Sequence, residues 1–400
     1  MIIEGVYCLH RSLINLLKKS KMIYTLYYLV GTFLINVLKF FVSVDNKVIL
    51  FNSFGGRKFD DSPKVLYEAM IKDKRYEDYK FYWAFNIPSN HSIEKGEKIK
   101  VDSLKYFIIA LKAKIWITNT SIERGLKYKR KETLYFNTWH GTPIKKLGNN
   151  LISKTKSFKP KNSNSIDIMT VQGRYEASIF AEAFNINKSK FLFSGLPRND
   201  ILSEYSFDYK RKIMNELNLP SNKKVILYAP TYREYEKDTL GRNIFNLPFD
   251  LETWQKNLGE NYILLLRLHY ESVSDIKIAK DNNFVLDVSN YPNLHELMIV
   301  SDLLISDYSS MFFDYSILNK PMICYTYDFE RYNKHRGLYF DLRKYIPGGS
   351  ISEVELLTLI KDSIKNNRIE DVKKFRNKYV EFYGEATPKV LDCIENVLNI

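Results

Sequence analysis

Residues 223–231 read KKVILYAPT. Two lysines lead into Val225-Ile226-Leu227-Tyr228, and Ala229-Pro230-Thr231 ends the run. A short continuous apolar run bounded by charge and proline predicts a strand buried on both faces, as a parallel sheet requires. A helical pattern, FDYKRKIMNELNL (207–219), precedes it. Downstream the unit recurs as YILLLRLH (262–269), NFVLDVS (283–289), DLLISD (302–307) and PMICYTY (321–327), with helices between. Upstream runs a separate series: KVILFN (47–52), YKFYWAFN (79–86), KIWITNT (114–120), TLYFNTW (133–139), IDIMTVQ (166–172) and KFLFSG (190–195). Two such series predict an α/β chain of two Rossmann-like, parallel-sheet domains. The expected boundaries are 46–205 and 206–400, behind a hydrophobic helical segment, 1–45.

That first segment has its own character. LHRSLINLLKKSK (9–21) is basic and amphipathic, and the uncharged run Met22 to Leu38 follows. As a helix the run spans about 26 Å, short of a ~30 Å hydrocarbon core. The reading is a helix pair lying on the inner face of a membrane; a buried helix and a true span are the alternatives. Across 400 residues Lys+Arg 60 exceed Asp+Glu 46, a net charge of +14. This excess calls for an anionic partner: a phosphate-rich substrate, anionic lipid or nucleic acid. Six lysines and no acid lie between Lys145 and Lys161, a face for anionic lipid or a polyanionic acceptor. The cysteines Cys8, Cys324 and Cys393 are too scattered for a disulfide framework or a metal site. No nucleic-acid motif is visible.

In open α/β sheets ligands sit beyond the carboxyl ends of strands, so the residues just after strands matter most. Trp139-His140-Gly141-Thr142-Pro143 follows one strand, with a helix expected to begin at IKKLG (144–148). It sets an imidazole, able to move protons near neutral pH, at a strand end. Arg267 and His269 end another strand, where alternation points both to one face. Ser306-Asp307-Tyr308-Ser309-Ser310 joins a strand to a helix start, where hydroxyls and free N–H groups suit a phosphate. Gly195-Leu196-Pro197-Arg198-Asn199-Asp200 and Tyr228-Ala229-Pro230-Thr231-Tyr232-Arg233 are further polar turns whose arginines could hold anions.

NTWHGTPIKKLG (137–148), GLPRND (195–200), YAPTYRE (228–234), LRLH (266–269), ISDYSSMFFDYSILNKPMICYTYD (305–328) and RGLYFD (336–341) together resemble the CDP-glycerol glycerophosphotransferase family of teichoic acid and capsule primases and polymerases. The resemblance implies a GT-B architecture, with the site in the cleft between domains and the nucleotide donor held mainly by the second. It implies transfer of polyol phosphate from CDP-glycerol, or CDP-ribitol, to a hydroxyl of a lipid-linked glycan or polyol-phosphate acceptor. CMP leaves, at the cytoplasmic face of the cell membrane. By the same resemblance His140 is the acceptor-side base and His269 binds the diphosphate. Ser309 and Ser310 hold donor phosphate oxygens, and Asp307, Arg267, Arg233, Arg198 and Thr142 are further donor or substrate contacts. Tyr270 and Ser306 depart from the family pattern, where proline and threonine are usual. No motif demands a cofactor or metal; Mg²⁺ could accompany the donor diphosphate. The rivals are a GT-B sugar glycosyltransferase, in which Asp328 or Glu330 would meet sugar hydroxyls, and a non-enzymatic basic module.

Overall fold

The structure, a computed structural model, describes residues 20–151, 165–233, 235, 243–244, 246–268, 272–273, 282–366 and 368–398. Seven strands form the first sheet: β1 (Asp45–Asn52), β2 (Lys80–Phe85), β3 (Glu97–Lys100), β4 (Ala113–Thr118), β5 (Leu134–Asn137), β6 (Ile168–Thr170) and β7 (Phe191–Leu192). Their order is β3-β2-β1-β4-β5-β6-β7, every neighbour parallel. The second half holds β8 (Lys224–Tyr228), β9 (Asn243–Ile244), β10 (Tyr262–Leu266), β11 (Ser272–Val273), β12 (Val285–Asp287), β13 (Leu303–Ser306), β14 (Met322–Tyr325) and β15 (Gly348–Gly349). Six of these make a second parallel sheet, β12-β10-β8-β13-β14-β15, while β9 and β11 pair apart. Both sheets reverse direction in the same way, beside β1 and beside β8. Each therefore has a switch point between its first strand and the strand on its other side, where ligands settle.

Alternation along the strands explains their unbroken apolarity. Ile49 and Phe51 pack on one face with Tyr67, Trp83 and Ile117, while Val48 and Leu50 pack on the other with Tyr106, Trp116 and Tyr128. In β8, Val225 and Leu227 enter one core and Ile226 and Tyr228 another. Helices cover both faces, so neither set can be polar. Their starts are capped by short polar side chains: Ser103 accepts from Tyr106 N–H at 3.1 Å and Ser206 from Tyr209 N–H at 3.0 Å.

Three expectations are corrected. The last helix, Ala386–Leu398, sends Val390, Leu391 and Ile394 into the core of the first sheet, so residues 206–400 do not all belong to the second domain. Sequence periodicity reveals that helix but not which core receives its apolar face. No helix begins at Ile144. Pro143 cannot donate, and the chain runs extended: Lys145 bridges Leu338, and Tyr339 N–H donates to Ile144 O at 2.8 Å. The strand expected to reach His269 stops at Leu266.

Among the described residues ahead of β1 lies a helix, Lys21–Leu38, with mean hydropathy 1.3 and Ile35 its only buried residue. One side docks on the loop 122–130: Tyr27 Oη donates to Arg124 O at 3.1 Å, Asn36 Nδ2 to Lys127 O at 3.0 Å, and Gly31 lies against Leu126. The other side is bare Met22, Leu26, Leu29, Phe33 and Leu34, continued by Phe40 and Phe41, which are 87% and 82% exposed. Residues 9–19 of the expected helix pair lie outside the described residues.

Candidate active site

The loops after β1, β5, β8 and β13 converge on a cleft of about 610 Å³ between the sheets. His140 lines it from the first domain, and Thr231, Arg267, Ser309 and Ser310 line it from the second. Trp139 is held in the left-handed region (φ 50°), its N–H donating to Asn137 Oδ1 at 2.8 Å, and this turns the chain so that His140 faces the cleft. The imidazole stacks on Trp139, ring centroids 4.2 Å apart and 27° between planes. Its Nδ1 lies 2.7 Å from the carbonyl oxygen of Asn119, just past β4. A carbonyl only accepts, so Nδ1 carries the proton of the neutral ring and Nε2 keeps its lone pair. Burial pulls the His140 pKa below its ordinary value, opposed by the Asn119 hydrogen bond and Asp61 and assisted by Arg198 and Arg57. A neutral imidazole with a free Nε2 can accept a proton.

Gly141 explains how the two domains meet here. At φ 147° its Cα abuts the donor-side turn: a Cβ would stand 2.6 Å from Ser310 Oγ. Only glycine permits this approach. Ser309 Oγ accepts from Met311 N–H at 3.2 Å, and the Ser310 side chain caps nothing in the helix it begins. That helix, Met311–Ser316, is six residues long, so hydroxyls rather than a long macrodipole face the cleft.

Asp307 sits beneath this turn, not in the cleft. One of its oxygens accepts from Thr231 N–H at 2.8 Å and Tyr308 N–H at 2.7 Å, tying the turns after β8 and β13 together. Its other oxygen meets Arg233 NH1 at 2.8 Å. Arg233 is fully buried and also pairs with Asp328, at 2.7 Å. The expectation that Arg233 binds an incoming anion is corrected: its charge is consumed by two carboxylates inside the fold. Asp328 is engaged in the same network and accepts from Tyr235 and Tyr308 as well, which removes it as a sugar-hydroxyl ligand. Arg267 does line the cleft, but its NH1 donates to the carbonyls of Val288 (3.1 Å) and Tyr291 (2.7 Å), and burial lowers its pKa.

Arg198 is corrected for the same reason as Arg233. It lies buried between the domains, with NH1 2.7 Å from Asp61 of the first and NH2 2.8 Å from Asp314 of the second. Asn199 repeats the pattern, donating to Gln172 Oε1 at 2.9 Å and Asp314 Oδ1 at 2.7 Å, with His295 Nε2 3.0 Å from its oxygen. Thr142 is buried too; its hydroxyl donates to Glu176 Oε1 at 3.1 Å. Burial pushes Glu176 up to about 7, against hydrogen bonds from Gln172 and Thr142. This hub lies directly under the His140 turn and locks the domains in register. Asn119, Asp61, Glu176, His295 and Asp314 were missing from the sequence reading; the one signal was a carboxylate, Asp314, inside the otherwise apolar MFFDYS. His269 and the lysines from 154 to 161 lie outside the described residues. Among the described residues no group of three His, Cys, Asp or Glu could hold a metal ion.

The sequence model described as CDP-Glycerol:Poly(glycerophosphate) glycerophosphotransferase matches residues 34–396. The chain belongs to this family. The teichoic acid glycerol-phosphate transferase of Staphylococcus aureus is 36% identical over 369 residues, covering 88% of this chain and 93% of that protein. The teichoic acid poly(glycerol phosphate) polymerase of Staphylococcus epidermidis is also 36% identical, but the chain spans only 51% of its length. A solved structure of the wall teichoic acid polymerase TagF superposes with a TM-score of 0.80 at 33% identity, over 89% of this chain and 90% of that one. Further TagF structures were solved as a histidine-to-asparagine variant soaked with CDPG. The two-domain GT-B fold expected of the family is the fold observed.

Proposed function

We propose that the protein is a CDP-glycerol glycerophosphotransferase of teichoic acid or capsule synthesis. The observation that carries this reading is the contact of two chemistries at the paired switch points. A neutral histidine with a free Nε2 faces the hydroxyls of Ser309 and Ser310 across a seam closed by Gly141. The acceptor hydroxyl attacks the phosphorus that bears glycerol. The bond from that phosphorus to the bridging oxygen breaks, CMP departs, and the hydroxyl proton passes to His140 Nε2. Ser309, Ser310 and the remaining N–H groups of Arg267 hold the donor phosphates. His269 joins them on the family resemblance alone. Release of CMP from CDP-glycerol, measured beside CDP-ribitol and UDP-sugars, tests the reading; faster release of UDP would move the protein to the sugar transferases. A parallel arm with EDTA tests whether Mg²⁺ accompanies the diphosphate.

The acceptor is lipid-linked in this proposal, and the helix Lys21–Leu38 rests in the headgroup region of the cytoplasmic leaflet. The docked, hydrogen-bonded side and the opposite row of bare apolar side chains support an in-plane helix. Replacing Phe33, Phe40 and Phe41 by Ser should abolish co-sedimentation with vesicles of anionic phospholipid. Full retention would place the anchor elsewhere.

A further inference from the structure

We propose that the groove at the end of the helix Lys21–Leu38 seats one anionic phospholipid, with Lys39 and Arg130 on its headgroup phosphodiester and Phe33 and Phe40 against the start of its acyl chains; this deepens the in-plane reading of that helix and rests on it. The groove, of about 390 Å³, is lined by Phe33, Asn36, Val37, Lys39, Phe40 and Arg130, none of them acidic. Two cations thus share it, and among the described residues neither has a carboxylate within ion-pair distance. The other partly buried cations of the loop 122–130 are spent, Arg124 on Asp102 at 2.8 Å and Lys129 on Asp167 at 2.8 Å. Lys127 and Lys131 are exposed and line no part of this groove.

Arg130 is placed by the helix end itself. Its Nη2 donates to Lys39 O at 2.6 Å and to Val42 O, carbonyls left over where the helix stops. This capping occupies Nη2 alone: among the described residues Nε is buried without a hydrogen bond, and Nη1 makes none. Lys39 is half-buried beside it. Burial, and then the charge of Arg130, pull the Lys39 pKa below its ordinary value, while Glu123 and Glu132 oppose them from beyond ion-pair distance. Two partly desolvated like charges repel unless an anion lies between them. A phosphodiester supplies that anion, with two non-bridging oxygens to accept from Lys39 Nζ and Arg130 Nη1. A free phosphate would satisfy the same cations, but the rim of the groove selects a lipid. Phe33 and Phe40 are 66% and 87% exposed and continue the bare row of Leu26, Leu29, Leu34 and Phe41, so the cations sit where an apolar surface ends. Charged floor and apolar rim match the two parts of a phospholipid. The same pair of cations turns away a headgroup that carries its own positive charge, such as choline.

The test is calorimetric binding of three probes to the full chain: dihexanoyl phosphatidylglycerol and dihexanoyl phosphatidylcholine, both kept below their micelle concentrations, and free glycerol phosphate. Wild type should bind the phosphatidylglycerol about 10-fold more tightly than either of the others. Lys39→Gln keeps most of the stem and loses the charge; it should melt with wild type and erase the preference over the choline lipid, and Lys39→Arg should keep most of it. Lys39 carries the test because Arg130 also caps the helix. No preference in wild type, or one that survives Lys39→Gln, overturns the proposal. Glycerol phosphate binding as tightly as phosphatidylglycerol overturns it too, since the groove would then take a free anion. If the preference behaves as expected but wild type does not sediment with phosphatidylglycerol vesicles, the site stands and the in-plane reading fails; sedimentation without the preference keeps that reading and removes the site.

Discussion

Replacing His140 by Ala removes the one imidazole that, among the described residues, lines the cleft with Nε2 unoccupied. A positioned general base contributes about 10²–10⁴-fold, or roughly 3–5 kcal/mol of barrier. Turnover with CDP-glycerol and a soluble acceptor should fall by that order. Donor affinity should stay within about twofold, since the donor contacts belong to the second domain. His140→Gln can accept a hydrogen bond but not keep a proton, so it should be nearly as slow. The pH profile supplies an independent reading. Only the neutral ring is a base, so the rate falls as pH drops through the His140 pKa. Burial lowers that pKa, so the acid limb should lie below 6.5. It should vanish from the residual activity of His140→Ala. The Ala variant also strands the Asn119 carbonyl, costing about 1–3 kcal/mol of stability, so thermal melts must accompany the rates. A folded His140→Ala protein that keeps more than a tenth of wild-type turnover, or retains the acid limb, would refute the assignment.

Arg198→Met leaves Asp61 and Asp314 buried without a counter-charge and should cost about 3–5 kcal/mol in urea unfolding; adding Asp61→Asn and Asp314→Asn should recover most of it, and a loss under about 1 kcal/mol would show that the hub is not a latch. Glu176, raised to about 7 in the fold from its unfolded value, 4.5, binds its proton more tightly when folded, so its contribution is complete below 4.5 and lost as pH rises through 7. Stability should therefore decline across that window by on the order of 1–3 kcal/mol, and Glu176→Gln should flatten the decline; an identical slope in both proteins would remove Glu176 from the balance. Ser309→Ala with Ser310→Ala should weaken CDP-glycerol binding by about 10-fold, or roughly 1.5 kcal/mol, in calorimetry, and unchanged affinity would shift the donor site away from this turn.

How much of this was legible beforehand follows the range of the interactions. Each strand of the second sheet except β15 could be read from KKVILYAPT and its repeats, because a strand buried on both faces must be apolar at every step; the strand order, and so the switch point, could not. His140, Ser309 and Ser310 stood out because a polar residue ending such a run has only the cleft to face. Local sequence could not tell which arginines remain available to a ligand. Arg198, Arg233 and Arg267 look alike in the turns after their strands. What separates them is whether Asp61, Asp314, Asp307 or Asp328, some more than 100 residues away, arrives at contact distance. The destination of the last helix was hidden for the same reason, since an apolar stripe states that it must be covered but not by which core. The sequence by itself determined the elements, the fold class and the positions open to chemistry, all set by periodicity and strand ends. Only the tertiary structure decided which charges are spent inside the protein and which face the cleft, because burial and pairing depend on residues that chain distance does not bring together.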